Sequence, residues 1–135
     1  MTILIADDDP VLTGILTARL KQAGFKVAVA HDAMRAIMAA LSNPPAAILL
    51  DFNMPGGSGL QVLRQLRNST LTSRIPIIVV SGSLEPETEK KVRELGADDF
   101  VCKPASCELL LGKIHQLLQR SEAGLGRSEG RPSWA

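Results

Sequence analysis

The chain has 135 residues, 45% of them hydrophobic and only 3% aromatic, with no Tyr and a formal net charge of +1. That length and apolar content suit one globular domain with an aliphatic core. Near-neutral charge and scarce rings argue against direct nucleic-acid binding, or a membrane surface, built on bulk charge and base stacking.

In chain order, Ile3 to Ala6 reads as a short buried strand. Asp9-Pro10 opens a helix, with Asp9 as N-cap and Pro10 at the first helical position. Leu12, Leu16 and Leu20 recur along it with Val11 and Ile15 beside them, and Gly24 closes it. Phe25 to Ala30 is a second strand. Asp32 caps a helix turning Ala33, Ile37 and Leu41 inward, and Ser42-Asn43-Pro44-Pro45 breaks it. Ala46 to Leu50 forms a wholly apolar third strand, followed by a Met54-Pro55-Gly56-Gly57 loop. Ser58 caps a helix bearing Leu60, Leu63 and Leu66, and Ile75 to Val80 is the fourth strand. The helix from Glu85 to Leu95 has few apolar positions, chiefly Val92 and Leu95, and should be the least firmly held. Phe100 to Cys102 is a short fifth strand. Ser106 caps the last helix, which presents Leu110, Ile114, Leu117 and Leu118 inward.

Five apolar strands alternating with five helices predict an α/β fold: a doubly wound, five-stranded parallel sheet in the flavodoxin-like order 2-1-3-4-5. The domain is expected over residues 1–120. Residues 121–135, with Gly, Ser, Arg, Glu and a single Trp134, read as a tail or linker stump. No apolar segment approaches the roughly 20 residues of a membrane span. A strand beginning beside Met1 leaves no room for a signal peptide, so a cytoplasmic protein is expected. Cys102 and Cys107 read as reduced thiols, since His31 and His115 lie far away in sequence and no zinc spacing exists.

The chemistry gathers where the strands end. Asp7-Asp8-Asp9 follows the first strand, Asp51 the third, Ser81-Gly82 the fourth and Lys103-Pro104 the fifth. A parallel sheet puts all these ends on one edge, where open α/β sheets bind ligands. Strands one and three are neighbours about 5 Å apart in this order, so their carboxylates repel unless a cation sits among them. An all-oxygen, solvent-open set favours Mg²⁺. Asp9, followed by Pro10, is better explained as a helix cap. Lys103 can reach across the edge as a point charge, and its bond to Pro104 is a candidate cis peptide. The Ser81 hydroxyl can bond a phosphoryl oxygen, and Gly82 leaves a backbone N–H approachable.

The stretches ILIADDDP, LLDFNMPGGSGL, IIVVSGS and GADDFVCKP, in this order and spacing, resemble the receiver domains of two-component response regulators over roughly residues 1–120. The resemblance implies that Asp51 is the phosphoacceptor, Asp8 a direct Mg²⁺ ligand, Asp7 a ligand through water, and Asn53 a backbone-carbonyl ligand. It implies phosphoryl contacts from Ser81, Gly82, Lys103 and Asn53, and a switch formed by Ser81 with Phe100 in the aromatic position. The implied partners are a histidine kinase or phosphotransfer protein and a downstream protein docked on the fourth helix, fifth strand and fifth helix, with a homodimer on phosphorylation as an option. No turnover beyond the domain's own phosphorylation and dephosphorylation is implied. Ser58 stands where many members carry Asp, while Asn53 and Ser83 line the approach of hydrolytic water in this family.

Three other readings compete. Asp7-x-Asp9-x-Val11 also fits the first motif of aspartate-nucleophile phosphatases of the haloacid-dehalogenase type, but no acidic motif follows Lys103 at a strand end. A flavodoxin-like FMN module would need a phosphate loop where three aspartates stand. A receiver-like scaffold that ignores phosphate would carry the same fold. A stand-alone receiver and one cut from a larger protein would look alike.

Overall fold

A computed structural model describes residues 1–83 and 85–122. Strand β1 (Thr2–Ala6) leads into helix α1 (Pro10–Gln22), and β2 (Lys26–Ala30) into α2 (Ala33–Ser42). Strand β3 (Ala47–Asp51) is followed by two-residue strands β4 (Asn53–Met54) and β5 (Gly57–Ser58), then by α3 (Gly59–Arg67). Strand β6 (Ile77–Ser81), helix α4 (Pro86–Glu94), strand β7 (Asp99–Cys102) and helix α5 (Cys107–Glu122) follow. The main sheet has five strands in the order β2-β1-β3-β6-β7, all parallel. This is the expected 2-1-3-4-5 order once the small β4–β5 ribbon is set aside.

Because side chains alternate across a strand, the apolar strands feed two cores. Leu4, Ile48, Leu50, Ile77 and Val79 pack with Ala36 and Ala40 of α2, Val62, Leu63 and Leu66 of α3, and Val92 of α4. Ile3, Ile5, Leu49, Ile78 and Val80 pack on the other face with Leu16 and Leu20 of α1 and Leu110, Ile114, Leu117 and Leu118 of α5. Each fully buried Leu or Ile contributes roughly 1.5–3 kcal/mol relative to an exposed one, so the strand ends are held by a rigid aliphatic frame. Helix α4 is the exception: Val92 is its sole buried residue, and Glu85 at its N-cap makes no side-chain bond to it.

Helix caps follow the sequence. The Asp9 carboxylate accepts from the N–H groups of Val11 and Leu12. Asp32 accepts from Arg35 N–H at 2.8 Å, Ser58 from Gln61 at 3.4 Å, and Ser106 from Leu109 at 3.1 Å. The Lys103–Pro104 peptide is cis.

Several expectations are corrected. Asp51 and Ser81 do not follow their strands; they are the last paired residues of them, opposite Val80 and Cys102. The segment after Asp51 is an antiparallel ribbon rather than a plain loop. Strand β6 begins at Ile77 instead of Ile75, whose N–H is tied back to Thr72 O in a turn. On α1, Val11 and Ile15 point outward, 69% and 51% exposed, and Thr13 is buried instead. On α2 the buried residues are Ala33, Ala36 and Ala40, with Ile37 and Leu41 only half-buried. Three alanines allow closer approach to the sheet than branched side chains would, and they rotate the larger residues to the rim. No helix among the described residues is long and apolar enough to cross a membrane. The expected tail lies, from residue 123 onward, outside the described residues.

Candidate functional site

The site grows from the C-terminal edge of the sheet. The last rung of the β1–β2 ladder is Asp7 N–H to Ala30 O at 3.0 Å. Beyond it the chain turns: one Asp7 carboxylate oxygen accepts Asp9 N–H at 2.9 Å, and the residue is buried at 5% exposure. Asp8 is exposed on the same turn. Asp51 ends β3, 6% exposed, and accepts Asn53 N–H at 3.2 Å. One carboxylate oxygen from each of Asp7, Asp8 and Asp51 lies within 4.8 Å of the others. The Asp9 carboxylate is absent from this group and is spent on α1, which removes a main support of the phosphatase reading.

Lys103 follows β7, and its ammonium lies 3.4 Å from both Asp7 Oδ2 and Asp51 Oδ2. Lys103 N–H donates to Ser81 O at 2.7 Å, so the β6 and β7 ends are locked in step. Ser81 is fully buried, and its hydroxyl oxygen accepts Ser83 N–H at 3.0 Å. Gly82 is exposed, and a Cβ added there would meet open space. The Ser83 hydroxyl lies 3.2 Å from that of Thr88 on α4. Phe100 is half-buried against the core that holds α2, α3 and Val92. Asn53 is exposed on β4, and Ser58 caps α3. Among the described residues, both cysteines are free thiols, and Cys102 donates weakly to Ser83 O at 3.7 Å.

Charge at this edge is unbalanced. Burial, reinforced by the neighbouring Asp7 carboxylate, raises the Asp51 pKa; the Asn53 N–H and the Lys103 ammonium oppose this without offsetting it. Burial alone would lower the Lys103 pKa, but Asp51 and Asp7 together outweigh it and raise it. Lys103 is thus supported by two carboxylates, whereas each carboxylate has only a share of one ammonium. A hard divalent cation with oxygen ligands fits that deficit. The residues fitted to hold it are Asp7, Asp8 and Asp51, the cluster of three acids found together at this edge.

Sequence reasoning passed over two polar elements. The His31 ring Nδ1 lies 2.9 Å from the Asp7 carbonyl oxygen; the available signal was its position just after the strand beside β1. Arg67 at the end of α3 forms a buried ion pair with Asp98 at 3.0 Å, at the opposite end of the sheet. Only the three-dimensional fold brings those two together.

The family model of the response regulator receiver domain matches residues 3–115. The phosphate regulon transcriptional regulatory protein PhoB of Pseudomonas aeruginosa is 33% identical over 123 residues, covering 91% of this chain and 54% of that protein. The chain therefore spans about half the length of this curated relative. The receiver domain of the Francisella response regulator 1452 superposes with a TM-score of 0.83 at 27% identity, covering 89% of this chain and 98% of that one. A response regulator protein from Burkholderia pseudomallei, solved with a phosphorylated aspartic acid, calcium ion and citrate, gives a TM-score of 0.78 at 27% identity, covering 91% of this chain and 71% of that one. A match running from β1 through most of α5, on a fold whose strand order and edge chemistry agree with it, places this chain in the response regulator receiver domain family of two-component systems.

Proposed function

We propose that this receiver accepts a phosphoryl group on Asp51 with Mg²⁺ as cofactor, and that the modification switches a protein-docking surface. The observation that carries the reading is the buried Asp51 carboxylate at a strand end, grouped with Asp7 and Asp8 and touched by Lys103. The phosphorylated aspartic acid and calcium ion of the Burkholderia relative are in keeping with it.

The chain's own groups account for the chemistry. An Asp51 carboxylate oxygen forms the new bond to phosphorus as the bond to the donor breaks, and the leaving group keeps its electron pair. In this reading Lys103 neutralises one phosphoryl oxygen, and Ser81 donates its hydroxyl to another. Gly82 leaves room for a backbone N–H to approach. Asp7, Asp8, Asp51 and the Asn53 carbonyl would hold the cation, which when bound supplies charge neutralisation for the transferred group. Catalysis is then positioning plus electrostatics, confined to the domain's own phosphorylation and dephosphorylation.

The donor is a histidine kinase or phosphotransfer protein. When the Ser81 hydroxyl turns to the phosphoryl group, Phe100 moves into the space, and the α4–β7–α5 face changes shape. Helix α4, held by Val92 alone among its buried residues, is the bistable part. That face would dock the downstream protein or a second copy. Residues 1–120 form the receiver in this reading.

Incubation with acetyl phosphate and Mg²⁺, read by intact mass, should give a phosphorylated wild type and an unmodified Asp51→Asn. A wild type left unmodified under saturating donor would overturn the proposal.

A further inference from the structure

We infer that His31 is a positioning residue for the cation site, holding the turn that carries Asp7 and Asp8 through its side chain. The inference rests on the reading of that site given above.

The parallel ladder between β1 and β2 pairs Ala6 with Ala30 and ends with Asp7 N–H donating to Ala30 O at 3.0 Å. In a parallel ladder the next rung would bring the N–H of residue 32 to the carbonyl of residue 7. Here Asp32 instead becomes the N-cap of α2, extended at φ −147° and ψ 167°, and the chain turns away. The His31 ring takes the carbonyl in its place, Nδ1 to Asp7 O at 2.9 Å. A carbonyl oxygen can only accept, so Nδ1 carries the hydrogen. Asp7 is thereby tied to the end of β2 through both of its backbone groups, and the peptide joining Asp7 to Asp8 is fixed in orientation.

The same short turn reaches the other half of the site. Ala33 N–H donates to Pro55 O at 3.1 Å, in the ribbon that carries Asn53. Residues 31 to 33 therefore touch both segments that supply cation ligands, the β1–α1 turn by a side chain and the β3–α3 connection by the main chain. Outer-shell partners of this kind hold metal ligands in place, and their loss typically weakens metal binding about 10–100-fold. Because His31 acts on a backbone carbonyl rather than on a ligating carboxylate, the low end of that range applies.

The test is Mg²⁺ titration of the whole chain, followed by calorimetry and by the amide resonances of Asp8 and Asn53, in His31→Ala, His31→Gln and His31→Asn. The Asn amide nitrogen sits at the Nδ1 position and keeps the donor, whereas the Gln amide corresponds to the far side of the ring and loses it. Expected are dissociation constants about tenfold weaker for Ala and Gln and within about twofold of wild type for Asn. Melting temperatures without Mg²⁺ should stay close to wild type in all three, which a merely structural role would not give. Wild-type affinity in Ala or Gln, or an Asn variant no better than Ala, overturns the inference even if Asp8→Asn abolishes binding. A wild type that binds no Mg²⁺ overturns the metal reading of the site and this inference with it.

Discussion

Two ionic clusters sit at opposite ends of the same sheet and are built on opposite plans. At the base, Arg67 and Asp98 are about nine-tenths buried and meet at 3.0 Å. Arg67 also donates to the carbonyls of Gly96, Thr72 and Ser73, and Asp98 accepts Ile77 N–H at 2.9 Å. The cation meets an anion, and further hydrogen bonds run to backbone groups of two loops and the first residue of β6. At the C-terminal edge, three carboxylates cluster, and among the described residues one ammonium, that of Lys103, touches two of them. The first cluster is satisfied by the fold alone, and the second is not. Burial of charge is common to both, so excess charge of one sign, rather than burial, separates a ligand site from a structural clip.

The largest effect is expected at the base. Asp98→Ala would take the Asp98 counter-charge from a buried guanidinium and should cost about 3–5 kcal/mol, a large share of a typical domain's stability. Urea denaturation would show this as a lower midpoint with an unchanged slope. Adding Arg67→Met to that variant should recover part of the loss, because the second substitution removes the buried charge that Asp98 had balanced. A loss below 1 kcal/mol for Asp98→Ala would mean that the base is as poorly satisfied as the edge.

At the edge the sign should reverse. Asp51→Asn removes one of three crowded negative charges and should stabilise the metal-free protein at neutral pH by up to about 1 kcal/mol, the familiar trade between stability and function. The folded-state pKa of Asp51 is raised, so the folded chain binds more protons than the unfolded one between the two pKa values. Wild-type stability from this group therefore falls as pH rises through that window. The gap between Asp51→Asn and wild type should be widest at neutral pH and close as pH falls through the raised value. Saturating Mg²⁺ should also narrow it, by stabilising wild type, which keeps all three carboxylates, more than the variant.

Much of this contrast was legible in the sequence, but unevenly. Asp51, Lys103 and Ser81 each stand at the end of an apolar run, and a parallel sheet has to bring such ends together. Leu63 and Leu66 of α3 and Leu110, Ile114, Leu117 and Leu118 of α5 are buried as their helical period predicts, while Leu60 is half-buried and Val62 takes the inner position beside it. Helix α2 did not obey the same logic: Ala33, Ala36 and Ala40 face inward because close packing favours small residues over the more apolar Ile37 and Leu41. Likewise Val11 and Ile15 stay exposed on α1, where Leu16 and Leu20 already fill the contact. Arg67 was invisible because its partner lies 31 positions away and an arginine at a helix end reads as solvated. His31 was passed over because its role is a bond to a carbonyl, and a carbonyl carries no sequence signal.

A third ionic group on the α4–β7–α5 face tests the comparison at intermediate burial. Asp99 lies 2.6 Å from Lys113 and 3.2 Å from Arg93. Burial raises its pKa, but the Lys113 hydrogen bond, the Phe100 N–H and the charges of Lys113 and Arg93 together lower it below the ordinary value. The sign is opposite to that of Asp51. A depressed carboxyl contributes stability above its unfolded pKa, near 4, and that contribution disappears as pH falls through the lower folded value. Partial solvent access limits the size, so Asp99→Asn should cost about 0.5–1 kcal/mol at neutral pH. The difference from wild type should vanish only in strong acid. A pH profile resembling that of Asp51 would show that the two carboxylates share one environment.

The smallest effect is expected between α1 and α5, where Arg19 pairs with Glu108 in side chains 42% and 66% exposed. The Glu108 carboxyl is held below its usual pKa by its own backbone N–H first and by Arg19 second. Water reaches both partners and salt screens them, so the pair gives little once its side-chain entropy is counted. Glu108→Gln should leave the thermal midpoint unchanged within error, in low salt and high salt alike. The contact joins the same two helices that cover one face of the sheet, yet their grip comes from Leu16, Leu20, Ile114 and Leu117 beneath it. A midpoint that drops in low salt and recovers in high salt would show a repulsive group nearby that Glu108 had been masking. An unchanged midpoint would place this pair below the limit at which charge matters to the fold, with the buried Arg67–Asp98 pair far above it.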